Sequence, residues 1–129
     1  MTELEWTQML NHFVDLRIAF LLAVPVAVNR ELRSKGVGLR TFPLVSVASC
    51  GYMLLAMQVY SGSDAEARVM YGLITGIGFI GGGAILKNGG NVSGTATAAS
   101  IWNTGAIGVS VAYSYYEIAI TLSLINFLV

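Results

Sequence analysis

The chain has 129 residues, 55% of them hydrophobic and only 11% charged, and its formal net charge is zero. A soluble domain carries roughly 25% charged residues, and a small one has a large surface to cover with them, so this composition points to a lipid-facing exterior and away from a soluble enzyme. Charge balance makes no case for a nucleic-acid partner, and the single cysteine, Cys50, with the single histidine, His12, allows neither an intrachain disulfide nor a zinc ligand set.

The N-terminus, Met1-Thr2-Glu3-Leu4-Glu5, is acidic, whereas a cleaved signal peptide starts basic. The first apolar segment, residues 10–28, is therefore expected to stay in the protein. Asp15 and Arg17 lie near its start, two apart and so not facing each other on a helix. Either both snorkel at the headgroups, or one faces the interior and pairs with another helix. Pro25 is expected to bend this helix or loosen its last turns.

Residues 42–60, 69–86 and 95–112 are uncharged runs, each about long enough to cross a hydrocarbon core as a helix. None shows the polar face of a soluble core helix. The last stretch, residues 115–129, is short for a span. It reads as a fifth helix clipped from a longer protein, or as an interfacial or tilted end. The fold class expected is all-α: one polytopic membrane domain, 1–129, of about five transmembrane helices. Alternation puts the 29–41 and 87–94 loops on one side. Arg30, Arg33, Lys35, Arg40 and Lys87 fall there, while Glu3, Glu5, Asp64, Glu66 and only Arg68 fall opposite. The positive-inside rule then places the basic loops in the cytoplasm and the N-terminus outside. Trp6, Tyr113, Tyr115 and Tyr116 fall where an outer aromatic belt belongs.

Residues 72–83 carry glycine at Gly72, Gly76, Gly78, Gly81, Gly82 and Gly83. The run Gly76-Ile77-Gly78-Phe79-Ile80-Gly81 matches G-x-G-x-x-G, but neither a preceding soluble strand nor a following ribose-binding acid supports a dinucleotide site. No Walker A lysine follows either. Pairs four apart, Gly72/Gly76 and Gly78/Gly82, suit close helix packing, and Gly105 and Gly108 with the alanines of 95–112 answer them. These two segments are expected to be the innermost helices, packed on each other. The same faces could serve a homodimer, and the triple glycine could instead break the helix beside a substrate pathway. The sequence Lys87-Asn88-Gly89-Gly90-Asn91 reads as a tight polar turn. Thr95, Thr97, Ser100, Asn103 and Thr104 put uncharged polar groups in a spanning segment, for bonds between helices or for a cation. Neither a catalytic triad nor a paired-carboxylate or metal set is visible, so no enzyme activity and no cofactor are expected.

Gly38-Leu39-Arg40-Thr41, the glycine run continued through Ala84-Ile85-Leu86, and Val92-x-Gly94-x-Ala96-Thr97-Ala98-Ala99-Ser100-Ile101-Trp102 with Gly105-Ala106-Ile107-Gly108 resemble the MgtC/SapB family of bacterial inner-membrane proteins. The resemblance covers the chain from about residue 16. It implies a five-helix bundle with the N-terminus outside, and a role in magnesium homeostasis, adaptation to low magnesium and virulence. It also implies a membrane partner such as the F-type ATP synthase; a magnesium transporter or channel is the alternative. Residue type and position together with the resemblance make Asp15, Arg17, Asn29, Arg30, Glu31, Arg40, Thr41, Asn91, Thr97, Trp102 and Asn103 the candidate functional residues. Two departures stand out. Asn29-Arg30 replaces the family's Glu-Arg, with Glu31 about 100° further round the helix. The soluble C-terminal domain of many members is expected to be absent.

Overall fold

The computed structural model describes residues 1–33 and 39–129; Lys35 and Gly38 of the basic loop lie outside the described residues. Five helices make the body: α1 (Glu3–Arg33), α2 (Thr41–Val59), α3 (Ser63–Gly82), α4 (Thr95–Ala112) and α5 (Tyr116–Leu128). Two short strands, β1 (Leu86–Asn88) and β2 (Asn91–Ser93), form an antiparallel hairpin between α3 and α4.

Local chemistry sets the boundaries. A reciprocal cap opens α1: the Thr2 N–H donates to Glu5 Oε2 at 2.7 Å and the Glu5 N–H donates to Thr2 Oγ1 at 3.3 Å. This extends α1 well before residue 10. Pro25 does not end it, because the helix continues to Arg33. α3 stops at Gly82, four residues short of the expected segment 69–86. Consecutive glycines are poor helix formers, and the last turn tightens, with Ala84 N–H bonded to the Gly81 carbonyl at 3.0 Å and Ile85 N–H to Gly82 at 3.1 Å. The chain then forms the hairpin, turning at Gly89-Gly90, with Gly89 at φ 65°. Gly94 enters α4 at φ 85°, and a Cβ there would collide with the Ala84 carbonyl, so both backbone and space require glycine.

Side-chain contacts fix the helix directions. Ser46 Oγ of α2 donates to the Ala19 carbonyl of α1 at 2.7 Å, and Gly51 faces Leu16, so α1 and α2 are antiparallel. Asp15, Leu22 and Asn29 of α1 meet Tyr116, Ser123 and Phe127 of α5 in the same order, so those two helices are parallel. α4 runs against α3 and α5. Consequently the end of α1, the start of α2 and the 83–94 connection share one end of the bundle, and 60–62 and 113–115 share the other. The last of these is a tight turn with Ser114 at φ 62°.

The core lies among α1, α2 and α4, centred on Phe42, Met53, Ile107, Val26 and Val111. α4 packs against all four other helices, whereas α3 packs against α2 and α4. This corrects the expectation that α3 and α4 are the innermost pair: α3 buries only Ile77 and Gly81 and forms the edge of the bundle. The bundle is apolar outside as well as inside. Phe79 is 85% exposed and Tyr71 76%, and apolar side chains on the outer faces of every helix share that condition. Among the described residues, α1 and α2 are long and apolar enough to cross a membrane.

Candidate functional site between helices 1, 4 and 5

α4 carries Thr97, Ser100, Asn103 and Thr104, and α5 carries Ser123 and Asn126. Positions three and four apart share a helix face, so each set forms one polar side, and the two sides meet. Asn103 Nδ2 donates to Asn126 Oδ1 at 2.9 Å and to the Leu122 carbonyl at 3.3 Å. Asn126 Nδ2 donates to Ser100 Oγ at 2.9 Å, and the Ser100 and Thr104 hydroxyls donate to the carbonyls of Ala96 and Ser100 at 2.8 and 2.6 Å. Thr97, Ser100, Thr104, Ser123 and Asn126 are all buried.

α1 closes the seam. Ser123 Oγ donates to the Leu22 carbonyl at 2.6 Å, beside the turn where Pro25 supplies no N–H. Asn29 Nδ2 donates to the Phe127 carbonyl at 2.6 Å. Asn29 Oδ1 accepts from Arg30 Nε at 3.3 Å and Nη2 at 3.0 Å. The departure from the family's Glu-Arg thus has a structural meaning. The amide accepts from the arginine as a carboxylate would, and it also donates to α5, which an ionised carboxylate cannot do. Arg30 is only 6% exposed. A buried guanidinium is costly unless hydrogen-bonded, and Asn29 supplies that bond without a counter-charge.

The other candidates lie elsewhere. Asp15 accepts from the Tyr116 hydroxyl at 2.7 Å, while Arg17 is exposed, its guanidinium 5.7 Å from the Phe13 ring. Of the two readings of this pair, Asp15 takes the interhelical one and Arg17 the surface one. Both sit about 20 Å along α1 from Arg30, at 1.5 Å per residue. Glu31 is half-buried at the end of α1, Arg40 is exposed before α2, and Thr41 is half-buried in its first turn. Asn91 is exposed, opposite Asn88 in the hairpin, and Trp102 points outward from α4, 58% exposed.

The glycines divide sharply. A Cβ on Gly105 would strike Ile77, and one on Gly108 would strike the Ser46 carbonyl. On α3, a Cβ on Gly81 would stand 3.0 Å from the Ala98 carbonyl, and one on Gly83, just past the helix, 3.2 Å from the Ile80 carbonyl. At Gly72, Gly76, Gly78 and Gly82 it would meet nothing within 4 Å. At the opposite end from Arg30, the Tyr113 hydroxyl donates to Glu66 Oε1 at 2.7 Å, tying α3 to α4. Tyr113 follows α4 as its C-cap, and burial, reinforced by Glu66, pushes its phenol up to about 12.

Sequence reasoning missed Ser123 and Asn126, which complete the seam, and the tyrosine–carboxylate pairs. The signal for the first two was present: they are polar residues three apart in an apolar helix. The tyrosine pairs join residues 47 and 101 positions apart, which no local pattern reveals.

A model of the MgtC family matches residues 16–129. The chain belongs to the MgtC family. It is similar to YhiD of Escherichia coli strain K12, whose name describes a candidate magnesium transporter, at 34% identity over 90% of this chain and 57% of the relative. It is 38% identical to Protein MgtC of Brucella abortus, over 81% of this chain and 43% of the relative, and 32% identical to Protein MgtC of Salmonella typhimurium, over 91% and 50%. The chain therefore spans about half the length of these curated MgtC relatives. No solved structure matches it. The seam and both glycine groups fall inside the MgtC match; Asp15 lies just before it.

Proposed function

We propose that this chain is the membrane domain of a bacterial inner-membrane protein of magnesium homeostasis. In this reading its five helices cross the bilayer with the N-terminus outside, and it regulates by binding a membrane partner rather than by conducting the ion. The naming of YhiD supports the link to magnesium. Two features support multiple crossings: the apolar outer faces of all five helices, and the gathering of Arg30, Arg33, Arg40 and Lys87, with Glu31, at one end of the bundle against Arg68 with Asp64 and Glu66 at the other. The observation that carries regulation over conduction is the chemistry of the seam. Among the described residues that bond across it, the formal charge is that of the buried Arg30 guanidinium, which repels a divalent cation in a low-dielectric interior. An F-type ATP synthase is the partner that the family resemblance suggests.

The second reading is a magnesium transporter, favoured by the name of YhiD and by the amide and hydroxyl oxygens of Asn103, Asn126 and Thr104. Reconstitution in sealed liposomes separates the two. Regulation predicts no magnesium flux under an imposed gradient, and recovery of a membrane partner on gentle purification from cells. Magnesium flux lost on substituting Asn103 or Asn126 would establish transport instead.

A further inference from the structure

The edge position of α3 opens a groove between it and α2. Its apolar part, about 560 Å³, runs between Val69, Gly72, Gly76 and Ile80 on one side and Leu44 and Tyr52 on the other. Val69 also lines a second depression at the 60–62 end, which Asp64 and Arg68 line as well, so the apolar groove adjoins a pair of opposite charges at that end. Gly72 and Gly76 keep the floor of the groove open, since among the described residues no neighbour comes within 4 Å of the place a Cβ would take. Glycine in a helix interior costs about 1 kcal/mol relative to alanine, and nothing inside this chain requires it at either position.

We propose that this groove is a binding site for a zwitterionic phospholipid bearing a primary ammonium, of the phosphatidylethanolamine type, with its phosphate on Arg68, its ammonium on Asp64 and one acyl chain over Gly72 and Gly76. This rests on the reading that α2 and α3 cross the bilayer. Two observations select the occupant. Asp64 and Arg68 are one helical turn apart and both line that depression, yet among the described residues neither has an ion-pair partner. A headgroup carrying one charge of each sign complements that pair, and an anionic headgroup is opposed by Asp64. The second is length. From Val69 to Ile80 the groove runs about 16 Å at 1.5 Å per residue, about one leaflet's share of a hydrocarbon core of roughly 30 Å. An acyl chain below its headgroup fits that depth.

The test begins with alkaline extraction of membranes. Release of the protein would overturn the membrane reading, and this proposal with it. If the protein is retained, purified chain stripped of lipid is offered equal amounts of phosphatidylethanolamine and phosphatidylglycerol, and bound lipid is read by native mass spectrometry. The proposal expects phosphatidylethanolamine to be held at least about tenfold more, a difference near 1.4 kcal/mol. The double variant Asp64→Asn, Arg68→Gln should lose that preference, and Gly76→Leu should lose both lipids while keeping its helical circular dichroism. Equal retention of the two lipids, or variants that behave like the parent, would overturn the groove proposal alone. So would a dimer that Gly76→Leu abolishes, since a second copy would then be the occupant.

Discussion

Gly105 and Gly108 of α4 are buried against Ile77 and Ser46, while Gly72 and Gly76 of α3 face open space. Small size serves two purposes here. On α4 it lets a central helix touch neighbours on several sides, as membrane helices do where small residues allow close approach. On α3 it leaves a surface groove. Substitution breaks the comparison most directly. Gly108→Ala drives a methyl group into the Ser46 carbonyl, which belongs to rigid helix backbone, and overpacking of that kind costs about 1–3 kcal/mol. Gly76→Ala should have the opposite sign, a gain of up to about 1 kcal/mol from helix propensity. Thermal unfolding in detergent, followed by circular dichroism, checks both. Equal losses would mean that α3 packs inside the bundle after all.

The second prediction concerns the polar side of α4. Asn126→Leu removes the bonds to Asn103 and Ser100 while keeping the branching at Cγ. Side-chain hydrogen bonds between membrane helices average about 0.6 kcal/mol and reach about 1.7, and Asn126 takes part in two, so a loss of about 1–2 kcal/mol is expected. Combining it with Asn103→Leu should cost less than the sum of the single losses, because the shared bond can be lost only once. Strict additivity would show that the two amides are not coupled.

The helices were legible from hydropathy because apolar runs of this length have few alternatives: α2 and α4 fall within a residue of the uncharged segments 42–60 and 95–112. The end of α3 was less so. The uncharged run continues to Leu86, and hydropathy cannot distinguish helix from strand once three glycines have weakened the helix. Which glycines pack was not legible at all. Spacing of four places Gly72 with Gly76 as it places Gly78 with Gly82, but whether a neighbour lies opposite depends on tertiary arrangement. Of the seam, Thr97, Asn103, Asn29 and Arg30 were flagged by residue type and family resemblance. Their convergence depends on α5 running parallel to α1, a long-range property.

The smallest effect tests how α3 is held. Among the described residues it buries only Ile77 and Gly81, and the Tyr113–Glu66 bond fastens its outer end to α4. The Tyr113 phenol is raised from 10 to about 12, by burial first and by Glu66 second. A phenol whose folded pKa lies above its unfolded value contributes stability fully below the unfolded value and loses it as pH rises through the folded one. The bond should therefore stabilise uniformly up to about pH 10 and fade towards about pH 12. An ultraviolet titration should show late-ionising tyrosine, and Tyr113→Phe should reduce that late component. In the variant, amide exchange should rise in α3 around Glu66 and leave α4 at Ser100–Thr104 unchanged, since the seam lies at the other end of the bundle. A rise shared equally by both helices would show that α3 and α4 open as one unit, and their contrast would then be one of packing alone.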